Sequence, residues 1–445
     1  MERYSSLKPP PNFRILRPSL TSISSSSGIL TPGELIKIRE RQSRKYMRCL
    51  VIFFGIITFL FLLYIPAYHQ VQNRVDMRNA GIPGWDYNTS REVRTYVLPD
   101  NTTSIHEALN LCQCSDDDTT EVVIPAGPDR KPIELLIIVS SAVGNFEERN
   151  SIRKSWASEY NATNHNSTVR IGFLLGLPEN NTLQAKVDEE SNYHKDIIQE
   201  HFIDSYNNLT LKSVMMLKWV SSHCLSRIKY LMKTDDDMYV NVPNLIKLLN
   251  ARINPRGMLI GSLICGARPI ADTKNKWYSP KFMYSGRVYP NYLSGTGYVM
   301  SADVVTRLYK AALKTPLLHL EDVYITGLCA HQAHITPRSN PAFAYEIRKF
   351  DPCIYKNIVT SHKVSPENLS KMYIMLKNQT DLEIKCHLQH QAELITSATS
   401  SPQLPVARVM ESFAQKLRNS KRSRIVVGAK SKNNLILEIH KLDRT

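Results

Sequence analysis

Ile228-Lys229-Tyr230-Leu231-Met232-Lys233-Thr234-Asp235-Asp236-Asp237-Met238-Tyr239-Val240 is a short apolar run that ends in three consecutive carboxylates and then turns apolar again. Residues 228–232 predict a strand. Three adjacent carboxylates repel one another, so something cationic must offset them. In an extended segment Asp235 and Asp237 point the same way, which makes a two-oxygen anchor for a hard divalent ion able to hold a diphosphate. A solvated acidic turn is the plainer alternative for the triplet taken alone.

The surroundings decide between these. Glu134-Leu135-Leu136-Ile137-Ile138-Val139 is a continuous apolar run, expected of a strand buried on both faces. Glu147 to Ala157 reads as a helix whose basic face carries Arg149, Arg153 and Lys154, and Val169 to Leu175 as a second strand. Leu211, Val214, Met215 and Trp219 recur at helical spacing just before the strand that delivers the triplet. Strands alternating with helices imply an α/β fold with a parallel sheet, in which ligands bind beyond the carboxyl ends of the strands. The triplet stands at such an end.

The compartment follows from Cys49 to Tyr68, which runs without a charge. About 20 helical residues span a bilayer core. Lys37, Arg39, Arg41, Arg44, Lys45 and Arg48 crowd its N-terminal side, so the positive-inside rule places the N-terminus in the cytoplasm. No small-residue cleavage site follows the run, which argues against a removed signal peptide. Glycan acceptor triplets begin at Asn88, Asn101, Asn161, Asn166, Asn180, Asn208, Asn368 and Asn378, all beyond the span, as passage through the secretory lumen requires. Cys112, Cys114, Cys224, Cys265, Cys329, Cys353 and Cys386 share that oxidising side, and their odd number leaves at least one free or paired to another chain.

The formal charge of +16 invites a nucleic-acid reading, but residues 1–48 and 391–445 hold thirteen of the sixteen excess charges. The near-neutral centre and the topology exclude nucleic acid as a partner. Along the chain we expect a disordered cytoplasmic tail (1–48), a transmembrane helix (49–68), a luminal stem (69–132), a catalytic domain (133–390) and a basic extension (391–445).

Further patterns gather around the triplet. Arg149-Asn150-Ser151-Ile152-Arg153-Lys154-Ser155-Trp156 is the basic helix, and Asp204-Ser205-Tyr206-Asn207-Asn208-Leu209-Thr210-Leu211-Lys212 opens the next. Tyr289-Pro290-Asn291-Tyr292-Leu293-Ser294-Gly295-Thr296-Gly297-Tyr298 and Glu321-Asp322-Val323-Tyr324 follow, and Thr360-Ser361-His362-Lys363-Val364-Ser365-Pro366 comes late. In their order and spacing these resemble the beta-1,3-galactosyltransferase family, inverting Golgi enzymes that include beta-1,3-N-acetylglucosaminyltransferases. The resemblance covers roughly residues 134–390.

It implies a GT-A fold, with a Rossmann-like nucleotide-binding half and an acceptor-binding half. It also implies a UDP-sugar donor, a manganese ion, a glycan acceptor on protein or lipid, and a single-pass type II membrane protein of the Golgi whose domain lies in the lumen. By motif, Asp237 is the direct metal ligand, with Asp235 and His362 further ligands. Asp235 and Asp236 also fall on the nucleotide side, together with Arg149 and Arg153, whose forks suit phosphate. Gly295 and Gly297 allow a backbone loop close to a ligand. Asp322 matches the family's catalytic base, needed because a sugar hydroxyl is a poor nucleophile near neutral pH. Read from the residues themselves, Trp277, Tyr289 and Tyr292 are either flat faces for sugar rings or ordinary packing.

The chain departs from many relatives in carrying Ser155 where Thr is common, one residue more between Tyr324 and Gly327, and an extension after about residue 391. A non-catalytic carbohydrate-binding or chaperone-like protein on the same scaffold is the competing function, and an intact acidic set argues against it. A glycosidase would need two carboxylates but no metal triplet beside a nucleotide-type strand.

Overall fold

A computed structural model of the 445-residue chain describes residues 32–79, 81–112, 133–160, 167–252, 256–399, 425–431 and 434–439. The expected tail up to residue 31 and the middle of the expected stem lie outside these. The chain divides into two compact units, Met1–Met77 and Arg78–Thr445.

In the first unit, helix α1 (Pro32–Asn79) contains the apolar stretch. Within Arg39–Tyr68 an 18-residue window reaches a mean hydropathy of 2.6, and none of that window is buried against protein. By length and composition it fits membrane anchoring.

The second unit is built on an eight-stranded mixed sheet. Helix α2 (Arg94–Val97) and strand β1 (Ser104–His106) precede the central strand β2 (Ile133–Ser140). Then come α3 (Phe146–Lys154), β3 (Val169–Leu177), α4 (Asn181–His194), β4 (Ile197–Ile203), α5 (Leu209–His223) and β5 (Ile228–Asp235). After β5 the chain makes β6 (Tyr239–Val240), α6 (Val242–Asn250), β7 (Leu259–Ile264), β8 (Tyr292–Ser301), α7 (Ala302–Ala312), β9 (Arg338–Ser339) and β10 (Thr360–Ser361).

The sheet order is β1-β4-β3-β2-β5-β8-β7-β9. Strands β4, β3, β2 and β5 are parallel, and β8 joins β5 antiparallel. The apolar run of β2 sits between two parallel neighbours and serves two cores. Leu136 and Ile138 pack with α5 and α7, whereas Leu135, Ile137 and Val139 pack with α3 and α6. That alternation is the period of a strand covered on both faces.

The expected stem needs correction, because residues 81–112 are part of the folded unit. Trp85 is 2% exposed, and its indole donates to the Asn207 carbonyl at 3.0 Å and to Asn208 Oδ1 at 3.1 Å. The buried Lys218 ammonium donates to the carbonyls of Val97 and Asn101 and to Thr103 Oγ1. Strand β1 adds an edge to β4, and Cys112 is disulfide-bonded to Cys224. Elements of three or four residues carry no periodicity, so the pattern of apolar residues gave no sign of them.

A second disulfide joins Cys353 and Cys386, while Cys265 is exposed and Cys329 buried, both as thiols; Cys114 lies outside the described residues. Val323–Cys329, which includes the residues between Tyr324 and Gly327, is π-helical, each turn closing one residue later than an α turn. At the far end, a helix spans Gln379–Thr399 and crosses the expected boundary at 390, and Ile425–Ser431 pairs antiparallel with Asn434–Ile439.

Candidate active site

The three carboxylates of the triplet diverge. Strand β5 ends at Asp235 and the chain turns at Asp236 and Asp237, so the extended geometry expected from the sequence does not hold there. Mutual repulsion is relieved by giving each acid its own partner. Asp235 Oδ1 accepts from Lys233 Nζ at 2.6 Å. Asp236 Oδ2 accepts from Ser141 Oγ at 2.7 Å and Asn145 Nδ2 at 2.9 Å. Asp237 Oδ2 faces His362 Nε2 at 3.3 Å.

The last pairing comes from strand register. Thr360 pairs with Val240 and Ser361 with Tyr239, and the Val364 amide donates to the Asp237 carbonyl at 2.9 Å. The residue after β10 is thereby brought beside the residue before β6. The Trp156 indole holds the same turn by donating to the Met238 carbonyl at 3.1 Å.

A cavity of about 640 Å³ opens beyond the carboxyl ends of β2, β3, β4 and β5. The triplet, Ser140, Asn180, Tyr206 and Lys212 help to line it. Lys212 is buried, with Nζ at 2.7 Å from both Asp204 Oδ1 and the Ser141 carbonyl. Burial holds its proton affinity below the usual lysine range, against the pull of Asp204. Ser140 Oγ is buried beside the cavity without a hydrogen-bond partner.

Arg149 and Arg153 are placed differently from the sequence expectation. The Arg149 side chain is fully buried and spends its fork on Glu190 (2.7 Å), Ser141 Oγ (3.0 Å) and the carbonyls of Ala142 and Val143. Arg153 bonds Glu190 at 2.6 Å and both oxygens of Asp196 at 2.8 Å. Their donors are committed within the protein, so they shape the loop at 141–143 instead of presenting a free fork to phosphate. Arg149 still reaches the site indirectly, since it holds the hydroxyl that holds Asp236.

Asp322 stands at the start of the π-helical stretch, with Oδ1 accepting from the Val323 amide at 2.8 Å. Burial, and next the charge of Glu321, push its carboxyl up to about 6. Gly295 is closely approached here: a Cβ would lie 3.0 Å from Glu321 Oε2 and 3.3 Å from Asp322 Cβ, so the acidic pair would have to give way slightly. The close approach that Gly295 permits is therefore that of the acidic pair. A Cβ on Gly297 would make only ordinary contacts, the nearest at 3.5 Å.

Lys233 connects the two acidic groups. Besides Asp235, its Nζ donates to the Gly295 carbonyl at 2.7 Å and lies 3.7 Å from Glu321 Oε2. Burial alone would lower its proton affinity, but Asp235 and Glu321 more than compensate and raise it. Tyr206 belongs to the same neighbourhood, its hydroxyl held above the usual range by burial and then by the charges of Asp322 and Asp235. Trp277 is half-exposed and hydrogen-bonds Tyr206. Tyr289 is buried among Tyr284 and Tyr292, an ordinary packing role. The sequence analysis assigns Lys233 no function, although a lysine two residues before an acidic triplet is a visible signal.

Among the described residues, no group of three or more His, Cys, Asp and Glu side chains is arranged to hold a metal. Two donors fit one nonetheless. His362 Nδ1 sits 2.9 Å from the Tyr345 carbonyl, which only accepts, so Nδ1 carries the proton and a neutral ring turns its Nε2 lone pair toward Asp237. A lone pair and a carboxylate at 3.3 Å need a cation between them, a proton or a metal. A hard divalent ion that takes one or two protein ligands and completes its shell with substrate phosphates suits this pair. Asp235 is already engaged by Lys233 and is a weaker candidate ligand.

A match to the Galactosyltransferase family spans residues 147–341. Mouse "Beta-1,3-galactosyltransferase 1" is 40% identical over 258 residues, covering 57% of this chain and 76% of the relative. Human "Lactosylceramide 1,3-N-acetyl-beta-D-glucosaminyltransferase" is 36% identical over 259 residues, covering 56% and 67%. Human "Beta-1,3-galactosyltransferase 2" is 39% identical over 246 residues, covering 54% and 57%. An acidic cluster beyond the parallel strand ends, with these likenesses, defines a glycosyltransferase. The chain belongs to the beta-1,3-galactosyltransferase family, and its reaction is beta-1,3-glycosyl transfer from a nucleotide-sugar donor to a glycan acceptor.

Proposed function

We propose that the protein transfers a hexose, galactose or an N-acetylated relative, from a UDP-sugar to the 3-hydroxyl of a glycan on protein or lipid, with inversion at the anomeric carbon. The reading places it in the Golgi membrane as a single-pass type II protein, with its GT-A catalytic domain and glycan acceptor sites in the lumen. The observation that carries it is the Lys233 bridge, which holds Asp235 and Glu321 on one ammonium and so keeps the triplet and the acidic pair at one locus.

On this reading the nucleotide occupies the cavity beyond β2 to β5, where Ser140 offers an unused hydroxyl. Asp237 and His362 would hold a manganese ion, which would supply positive charge to the leaving diphosphate. Asp236 is fixed by Ser141 and Asn145 and keeps the turn in shape. Asp322 takes the proton of the acceptor hydroxyl as the new bond forms. Its elevated proton affinity suits that task, because a base works best when its pKa lies near the operating pH. Trp277 and Tyr206 form the half-exposed wall beside Asp322, against which a sugar face can pack.

The test is a panel of nucleotide sugars offered to the detergent-solubilised full chain with lactose-type and N-acetylhexosamine acceptors, the products being measured by mass and linkage. A UDP-hexose giving a beta-1,3 product supports the reading. Donor hydrolysis without acceptor transfer, or no turnover of any donor with manganese present, argues for the carbohydrate-binding alternative.

A further inference from the structure

Beside Asp322 lies a second carboxylate that the transfer step does not use. Glu321 is 6% exposed, and its Oε1 accepts from Ser213 Oγ at 2.8 Å and from the Tyr298 hydroxyl at 2.7 Å. Its Oε2 faces Lys233 and the space that Gly295 leaves open. The contacts come from α5, β8 and β5, so three separate elements converge on one acid.

Such an arrangement is costly as mere scaffolding. A buried ion pair is commonly no more stable than an apolar packing of the same volume. Two hydroxyl donors and an ammonium, however, hold the carboxylate in one orientation. A fixed negative charge next to Asp322 opposes ionisation of Asp322 and favours its taking up a proton.

We propose that Glu321 is a positioning residue for the transfer reaction: held by Ser213, Tyr298 and Lys233, it keeps Asp322 a competent base and couples it, through Lys233, to the acidic triplet. The inference rests on Asp322 being the base. Asp322 is faced by Glu321 on its own segment, by Lys233 on β5, by Tyr206 at the entry to α5 and by Tyr289 and Tyr292 before and in β8. Asp235 lies beyond Lys233. The tyrosines, all raised above their ordinary range, stay neutral near physiological pH, so Glu321 and Lys233 set the local field.

The experiment compares wild type, Glu321→Gln, Glu321→Asp and Tyr298→Phe as full-length protein, with kcat and donor KM measured across pH. Glu321→Gln removes the charge and keeps the shape. Its acid limb of kcat moves to lower pH by about one unit, its plateau kcat falls about tenfold, and donor KM is unchanged. Glu321→Asp retains the charge and leaves the limb in place. A wild-type limb in Glu321→Gln overturns the proposal. Should that variant not fold, Tyr298→Phe decides: it strips one donor from Glu321 and keeps its charge, so the limb stays in place while plateau kcat falls, and a wild-type kcat overturns the proposal. Asp322→Asn separates the two readings. Full turnover there removes the base assignment itself, whereas loss of turnover together with an unmoved Glu321→Gln limb removes only the role of Glu321.

Discussion

His362 Nε2 lies 3.3 Å from Asp237 Oδ2 while His362 Nδ1 is occupied by the Tyr345 carbonyl at 2.9 Å. The carbonyl fixes the tautomer, and in a neutral ring that tautomer leaves a lone pair aimed at a carboxylate.

Strong chelation is therefore expected to abolish transfer, and added manganese to restore it. His362→Ala should raise the manganese concentration needed for half activity by about 10-fold or more. Calorimetric titration of metal with UDP present checks this. Turnover unaffected by chelation would end the metal assignment.

Asp322→Asn should reduce kcat by about 10²- to 10⁴-fold while UDP binding persists. In the wild type, activity should fall as pH drops through about 6, where Asp322 becomes protonated. The stability effect has the opposite sense. A carboxyl raised above its unfolded value favours the fold most at low pH and loses that contribution as pH rises through the folded value. At neutral pH Asp322→Asn should thus unfold at a higher temperature than wild type, measurable by scanning calorimetry.

Arg149→Ala should act mainly on stability. It removes one of the two guanidinium partners of Glu190, Arg153 remaining, and the support of Ser141, a loss of about 1.5 to 3 kcal/mol. Denaturant unfolding reads this directly. A variant of wild-type stability whose only defect is donor affinity would return Arg149 to the phosphate.

The acceptor triplet at Asn208 should carry no glycan in the folded enzyme. Its Oδ1 accepts from the Trp85 indole and its Nδ2 donates to the Ile203 carbonyl at 2.8 Å, while Thr210 is buried against the Leu318 carbonyl. Asn88, exposed in a turn, is the better acceptor. Glycopeptide mass spectrometry of the secretory form distinguishes the two, and a fully occupied Asn208 would contradict the packing of Trp85.

What the sequence disclosed was local and periodic. The runs at 134–139 and 228–232 and the helical spacing from Leu211 to Trp219 each became an element close to its expected bounds. The partners of the acids were not legible. Asp237 meets His362 through a two-residue pairing across more than a hundred positions, and no local pattern encodes such a register. The forks of Arg149 and Arg153 looked free because Glu190 and Asp196, which consume them, lie on and after a different helix. Residues 81–112 looked like a tether because their anchors are single side chains, Trp85 and the distant Lys218.

The short ladder between Tyr239–Val240 and Thr360–Ser361 also sets the smallest piece of this chain worth expressing. The family match stops at residue 341, upstream of both β10 and His362. Trimming the gene to that match would discard the strand that closes the turn after the acids and the imidazole beside it. Starting at β2 would in turn expose the face that Trp85 and Leu111 cover. A truncation intended for assay or crystallisation should run from about residue 78 to beyond Cys386, so that both disulfides survive.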